Sequence, residues 1–171
     1  MVLYLLDANI LIDANRDYYP IGRVDEYWGW LVHPGKRGRV KVPIEVWEEV
    51  RDGKDALAAW AKDSETNAAL RFGEEVNVAL VQRVLAEGYA PDLNDVEVET
   101  IGRDPFLIAH ALAGPDRWVV TSEVSKPKKQ RENRRVPDVC ATLGVPSCNA
   151  FAFTRALDFR TGWQSDQGSL F

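Results

Sequence analysis

The chain has 171 residues, 46% of them hydrophobic, and a formal net charge of −5. That length buries one good core but is too short for two ordinary domains, and the acidic balance argues against general nucleic-acid affinity, which comes from many Lys and Arg neutralising phosphates. No stretch approaches the roughly 20 apolar residues of a membrane span, and no basic segment precedes the first strand as in a signal peptide, so a cytoplasmic protein with no membrane partner is expected.

The uninterrupted apolar run Val2-Leu3-Tyr4-Leu5-Leu6 predicts a strand buried on both faces, broken by Asp7-Ala8-Asn9. A short helix follows and fades near Tyr18-Tyr19-Pro20, since Pro ends or kinks helices. A second helix is expected over about 24–32, carrying Tyr27, Trp28, Trp30 and Leu31; Trp28 and Trp30 cannot share one helix face, which leaves one of them for the surface. Val40-Lys41-Val42 predicts a short strand, and Pro43 opens a helix to about Arg51, ended by Asp52-Gly53. Residues 54–63 and 74–87 show helical periodicity, with Leu57, Trp60 and Ala61 on one face and Val76, Leu80 and Val84 on the other. From Gly88 to Gly102 the chain turns polar and acidic, as a surface connection would.

Asp104-Pro105 gives an N-cap acid with Pro next, opening a helix through Phe106, Leu107, Ala109, His110 and Leu112 that Gly114-Pro115 ends. Trp118-Val119-Val120-Thr121 is the next buried strand. Residues 126–135 then hold six cations (Lys126, Lys128, Lys129, Arg131, Arg134, Arg135) and one acid, a basic island in an acidic chain. A helix over Pro137–Leu143, a strand over Val145–Cys148 and a helix over Phe151–Leu157 complete the alternation, and residues 162–171 read as a loose end. Strands alternating with helices point to parallel βαβ units with right-handed crossovers.

In open parallel sheets, chemistry collects at the carboxyl ends of strands. Asp7 stands there, and acids recur at comparable junctions: Glu45, Glu48 and Glu49 after Pro43, Asp104, and Glu123 after Val119-Val120-Thr121. Each has an ordinary explanation alone. Asp7 and Asp104 suit helix caps, Glu123 suits a loop acid, and Val46 and Val50 facing the core leave at least one Glu of that helix merely solvated. Jointly, converging carboxylates raise one another's pKa, and a fold keeps them together mainly when a divalent cation neutralises them. Oxygen-only ligands favour Mg²⁺ or Mn²⁺, which suit hydrolytic phosphodiester chemistry.

Leu5-Leu6-Asp7-Ala8-Asn9, the segment Pro43 to Glu49, Asp104 with Leu107-Ile108-Ala109, and Val119-Val120-Thr121-Ser122-Glu123 resemble, in order and placement, the four motifs of PIN-domain nucleases. The likeness spans about residues 2–155 and is closest to a longer PIN-like branch with a Pro137-Asp138-Val139-Cys140 segment; the family includes VapC-type ribonuclease toxins. It implies a three-layer α/β/α sandwich with a central, mainly parallel sheet. One domain would cover 1–160, with a helical insertion at about 54–100 and a tail at 161–171. It also implies metal-binding or water-activating roles for Asp7, Glu49, Asp104 and Glu123, with Asn9 and Thr121 orienting them. The fourth acid is Glu where Asp is more usual, and the insertion exceeds that of small toxin members. Glu45, one turn before Glu49, is a possible substitute for it. Asp138 is a further candidate, read first as a capping or surface acid.

The expected activity is therefore that of a metal-dependent endoribonuclease, plausible as the toxin of a toxin-antitoxin module, with an antitoxin partner and a homodimeric state. The basic loop would track RNA phosphates or, failing that, be a solvated loop. Two alternatives stay open: a non-catalytic module holding RNA or protein, and a metal-dependent nuclease acting on DNA. His33 and His110 lack partners at metal-ligand spacing and read as loop and core residues, and Cys140 and Cys148 as small core side chains.

Overall fold

The computed structural model describes residues 1–167. Five strands, β1 (Leu3–Leu6), β2 (Val40–Pro43), β3 (Arg71–Phe72), β4 (Arg117–Val120) and β5 (Ser147–Cys148), form one all-parallel sheet in the order β3-β2-β1-β4-β5. Leu5, Leu6, Val40, Val42, Val119 and Val120 are wholly buried, because helices cover both faces of the sheet. The architecture is the expected α/β one.

The order decides where a site can form. From β1 the chain runs outward through β2 to β3, then returns to the opposite side of β1 for β4 and β5. The direction of winding reverses between β1 and β4, and at such a switch point the loops leaving the two strands part and open a crevice. Leu3 to Leu6 pair with Arg117 to Val120, and the Asp7 amide continues the ladder by donating to the Val120 carbonyl (2.9 Å). Asp7 is thus held at the crevice by the backbone itself.

Around the sheet lie α1 (Ala8–Asp13), α2 (Asp25–Lys36), α3 (Ile44–Arg51), α4 (Ala56–Lys62), α5 (Ser64–Leu70), α6 (Val78–Arg83), α7 (Asp95–Ile101), α8 (Asp104–Leu112), α9 (Val136–Leu143), α10 (Ala150–Ala156) and α11 (Trp163–Gln167). Helix α1 runs on into a wider π turn, Ala14–Tyr18, and α6 into another, Val84–Tyr89. The region expected as a helical insertion is helical, but it also supplies the edge strand β3 and core side chains Leu57, Ala61, Leu70 and Val84. It is built into the domain.

Several expectations need correction. Helix α2 passes through Pro34 to Lys36, and both Trp28 and Trp30 are buried. The helix packs on two sides: Trp28 meets Trp60 edge-on (4.7 Å) and donates to the Tyr19 carbonyl, while Trp30 meets Phe159 and Phe153. Residues 88–102 contain α7, started by a capping box in which Asn94 accepts from the Glu97 amide and Glu97 accepts from the Asn94 amide. Helix α6 begins at Val78, capped by Asn77, leaving Val76 outside it. The expected loose end holds α11, where the Trp163 indole donates to the Glu26 carbonyl; residues 168–171 lie outside the described residues. Cys140 is buried and Cys148 half-buried, both free thiols. Among the described residues, no helix is long and apolar enough to cross a membrane.

Gly35 shows how tightly α2 and α5 approach. A Cβ there would lie 2.6 Å from Leu70 Cδ2 and 3.0 Å from the Ala69 carbonyl oxygen, and the backbone cannot give way as a side-chain tip can. Gly35→Ala should therefore destabilise the protein by about 1–3 kcal/mol in urea titrations, despite the better helix propensity of Ala.

Candidate functional site

Asp7 is 7% exposed and adopts an extended conformation just before α1, the position of a cap, yet its side chain makes no cap hydrogen bond. Its Oδ2 instead accepts from Thr121 Oγ1 (2.9 Å) and Asn9 Nδ2 (2.9 Å). Asn9 Oδ1 in turn accepts from the Ser122 amide and hydroxyl (3.0 Å each), and the Glu123 amide donates to Thr121 Oγ1 (3.2 Å). The loops after β1 and β4 are stitched together across the crevice, and Asn9 and Thr121 both bond the Asp7 carboxylate. Burial pushes the Asp7 carboxyl up to about 6 against the pull of the Thr121 hydroxyl, and the charges of Glu123 and Glu49 raise it further.

Asp104 is not a cap. Arg103 holds that position, and Asp104 is the first residue of α8 with Pro105 next. An Asp-Pro pair satisfies the start of a helix in either register. Among the described residues, no donor bonds the Asp104 carboxylate. Burial first, then the charges of Asp7, Glu123 and Glu49, push it up to about 8. Asp7, Glu49 and Asp104 line one cleft of about 430 Å³, with Val46 and Arg103 among its walls. Glu49 is exposed on α3 beside the buried Val46 and Val50. Glu45, one turn earlier, has its Oε2 3.2 Å from Nε2 of the buried His110, and its carbonyl accepts from Arg103. Glu45 is engaged by His110 and is not among the residues that line the cleft with Asp7, Glu49 and Asp104.

Glu123 reaches the start of α9, where its Oε2 accepts from the Val136 amide (2.7 Å). A carboxylate is favoured at a helix N-terminus, where amides lack intrahelical partners. The longer Glu side chain is what spans this gap from β4. Asp138 neither caps α9 nor joins the acids; it accepts from the Ser125 hydroxyl and the Lys126 amide (2.7 Å), anchoring the entry of the basic loop.

The cations of that loop divide into three kinds. Arg131 is clamped to α7 and the turn before it, donating to Glu97 Oε2 and Asp92 Oδ1 (2.7 Å each). Arg134 is spent on the Gly88 carbonyl and Thr142 Oγ1. Lys126, Lys128 and Lys129 are exposed, and Lys129, Arg134 and Arg135 line a cavity of about 240 Å³ together with Asp104 and Glu123. Docking on α7 thus brings part of the basic loop to the acids. A larger cavity of about 520 Å³, on the far side of Glu123, is mostly apolar, with Tyr18 and Phe151 half-exposed at its rim.

One lining residue escaped the sequence reading. Tyr89, at the end of the π turn after α6, is 7% exposed and lines the cavity shared by Asp104 and Glu123, while its hydroxyl is enclosed and has no hydrogen-bond partner. Only the fold, with no motif, brings it there.

An oxygen-only set of carboxylates, with Asp104 lacking any donor, fits a hard divalent cation. Among the described residues, no three of His, Cys, Asp or Glu already close into a metal-holding group, so the set is an open one. The model of a family described as a domain of unknown function, DUF4411, matches residues 4–161. No curated protein matches the chain.

Proposed function

The chain belongs to the DUF4411 family, a domain of unknown function, and we propose from its acidic cleft that it is a divalent-metal-dependent nuclease hydrolysing phosphodiester bonds in RNA. The observation that carries this reading is Asp104: a carboxylate pushed up to about 8, without a donor, beside three other carboxylates and next to a cation-lined cavity. Such an arrangement costs stability and is of use where cation and phosphate meet. The preference for RNA rests on the resemblance to PIN-domain ribonucleases.

Asp7, Asp104 and Glu123 would hold the cation, with Glu49 at the solvent end of the cleft. When bound, a divalent cation supplies neutralisation of these charges and polarisation of a phosphoryl oxygen. The chain's own groups do the rest. Thr121 and Asn9 fix Oδ2 of Asp7, Val136 fixes Oε2 of Glu123, and Lys129 and Arg135 attract the phosphate backbone.

Asp7→Asn and Asp104→Asn should each reduce cleavage of a fluorescent single-stranded RNA by 10³-fold or more in Mn²⁺, with folding intact by circular dichroism. Full activity in both variants would remove the acids from the reaction. The same assay on a matched DNA strand tests the choice of substrate. A second reading, a non-catalytic nucleic-acid-binding module, is favoured by the absence of a closed ligand group among the described residues. It predicts oligonucleotide binding indifferent to Asp7→Asn and no Mn²⁺ affinity.

A further inference from the structure

Large apolar side chains left in water signal a contact still to be made when they gather at one cavity. Tyr18, Phe151 and Val124 are 51%, 50% and 73% exposed, and all three line the cavity of about 520 Å³ beside Glu123. That volume lies within the range of about 300–1,000 Å³ usual for small-ligand sites. Tyr18 comes from the π turn after α1 and Phe151 from the first turn of α10, whose start Asn149 caps by accepting from the Ala152 amide (2.9 Å). The two rings meet edge to face, 5.5 Å between centroids and 84° between planes. Such a contact uses one face of one ring and one edge of the other, so a planar group has aromatic surface left to lie against. Among the described residues, no Lys, Arg or His lines the cavity, and its two carboxylates, Asp13 and Glu123, are engaged by Arg16 and by the Val136 amide. The walls therefore suit an uncharged, flat and largely apolar body rather than an anion.

We propose that this cavity is a nucleobase subsite, in which an unpaired base of the RNA stacks on Tyr18 and Phe151 while the backbone next to it passes the acids. The identity of the occupant rests on the nuclease reading. Its position comes from the fold: Thr121, Ser122 and Glu123 belong both to the cavity wall and to the hydrogen-bonded loops of the acidic centre. Glu123 also borders the cavity it shares with Asp104, so a base in the first cavity belongs to a strand that runs past the carboxylates. Stacking on aromatic rings is open to every base, because each has a π face, but only once the base has left a duplex. The subsite therefore selects nucleotides by their unpaired state and not by their sequence. An apolar side chain of a protein partner would meet the same rings, but it gives no reason for them to lie at the end of the acidic crevice.

The test is anisotropy of fluorescein-labelled RNA with the full-length wild type, Tyr18→Ala, Phe151→Ala and Phe151→Trp, in EDTA. Three ligands are compared: a single strand, the same strand in a blunt duplex, and the single strand with an abasic nucleotide at successive positions. Both side chains are half-exposed, so the variants should melt close to wild type. Tyr18→Ala and Phe151→Ala should each weaken the single strand about tenfold, Phe151→Trp should keep wild-type affinity, and the duplex should bind all four proteins alike. The slope of affinity against salt should stay the same, since no phosphate contact has been removed. An abasic nucleotide at one position should weaken binding by wild type about tenfold and by Phe151→Ala no further. Equal affinity of wild type and both alanine variants for the single strand overturns the subsite; so does an equal loss on the duplex, and so does a wild type that binds no RNA. A wild-type dimer that Phe151→Ala splits, with RNA binding unmoved, also overturns it and makes the patch a protein interface. Cleavage separates the two readings. Affinity lost in Phe151→Ala with no cleavage by wild type in Mn²⁺ removes the nuclease reading and keeps the subsite, whereas cleavage abolished in Asp104→Asn with unchanged binding in Phe151→Ala does the reverse.

Discussion

At pH 9 in metal-free buffer, Asp104→Asn should melt at a higher temperature than wild type, and the two should converge near pH 4. In the folded chain Asp104 releases its proton only near pH 8, whereas an unfolded Asp does so near 3.9. Between those values the folded state binds more protons than the unfolded one, so stability falls as pH rises and the full penalty is present above pH 8. Four pH units correspond to about 5 kcal/mol, and partial exposure of the residue screens this to a few kcal/mol. For a chain of this size that is on the order of 5–10 °C in Tm. Asp7, raised to about 6, adds a smaller fall of the same sign between about pH 4 and 6. Asn keeps the shape of the neutral acid and removes the penalty. Parallel melting curves for the two proteins from pH 4 to 9 would show that the carboxylates do not burden one another.

Mn²⁺ should reverse that penalty. A ligand at 100 times its Kd stabilises the folded state by about 2.7 kcal/mol, and the gain should vanish in Asp7→Asn and Asp104→Asn. The cation must also displace the proton that Asp104 carries at neutral pH. Calorimetric titrations at pH 7 in buffers of different ionisation enthalpy should therefore show release of nearly one proton per cation, falling towards none at pH 9. A wild type whose melting temperature and heat signal ignore Mn²⁺ would leave the acids without a metal role and favour the non-catalytic reading. The two experiments interlock, because the same carboxyl that weakens the empty fold supplies the released proton.

Much of this was legible where the chemistry is local. Apolar runs ending at Leu6 and Val120 announce buried strands, and they place Asp7 and Glu123 at strand ends. Their meeting across a switch point depends on strand order, which the alternation of elements alone does not give. Asp104 reads as a cap because Asp-Pro fits two helix registers, and only the tertiary position of α8 chooses between them. The Asn94 and Glu97 capping box was present in the sequence but masked by the polarity around it, while β3, at two residues, is too short to have a period. Burial of both Trp28 and Trp30 required knowing that α2 is covered on two sides. Tyr89 was beyond reach, since its place beside Asp104 and Glu123 depends on how closely Gly88 meets α9.

The pairing of β1 with β4 also has a consequence for biosynthesis. Leu3 must wait for Arg117, its neighbour in the sheet, to leave the ribosome, and during that interval the most apolar strand of the chain has an unpaired edge. Asp7 meets Thr121 later still, and Glu123 reaches its contact on α9 only after Val136 has emerged. A nascent chain therefore cannot assemble the acidic centre until Val136 and the start of α9 have left the ribosome. The order of synthesis withholds the activity proposed for this protein from its own messenger RNA until that helix has emerged.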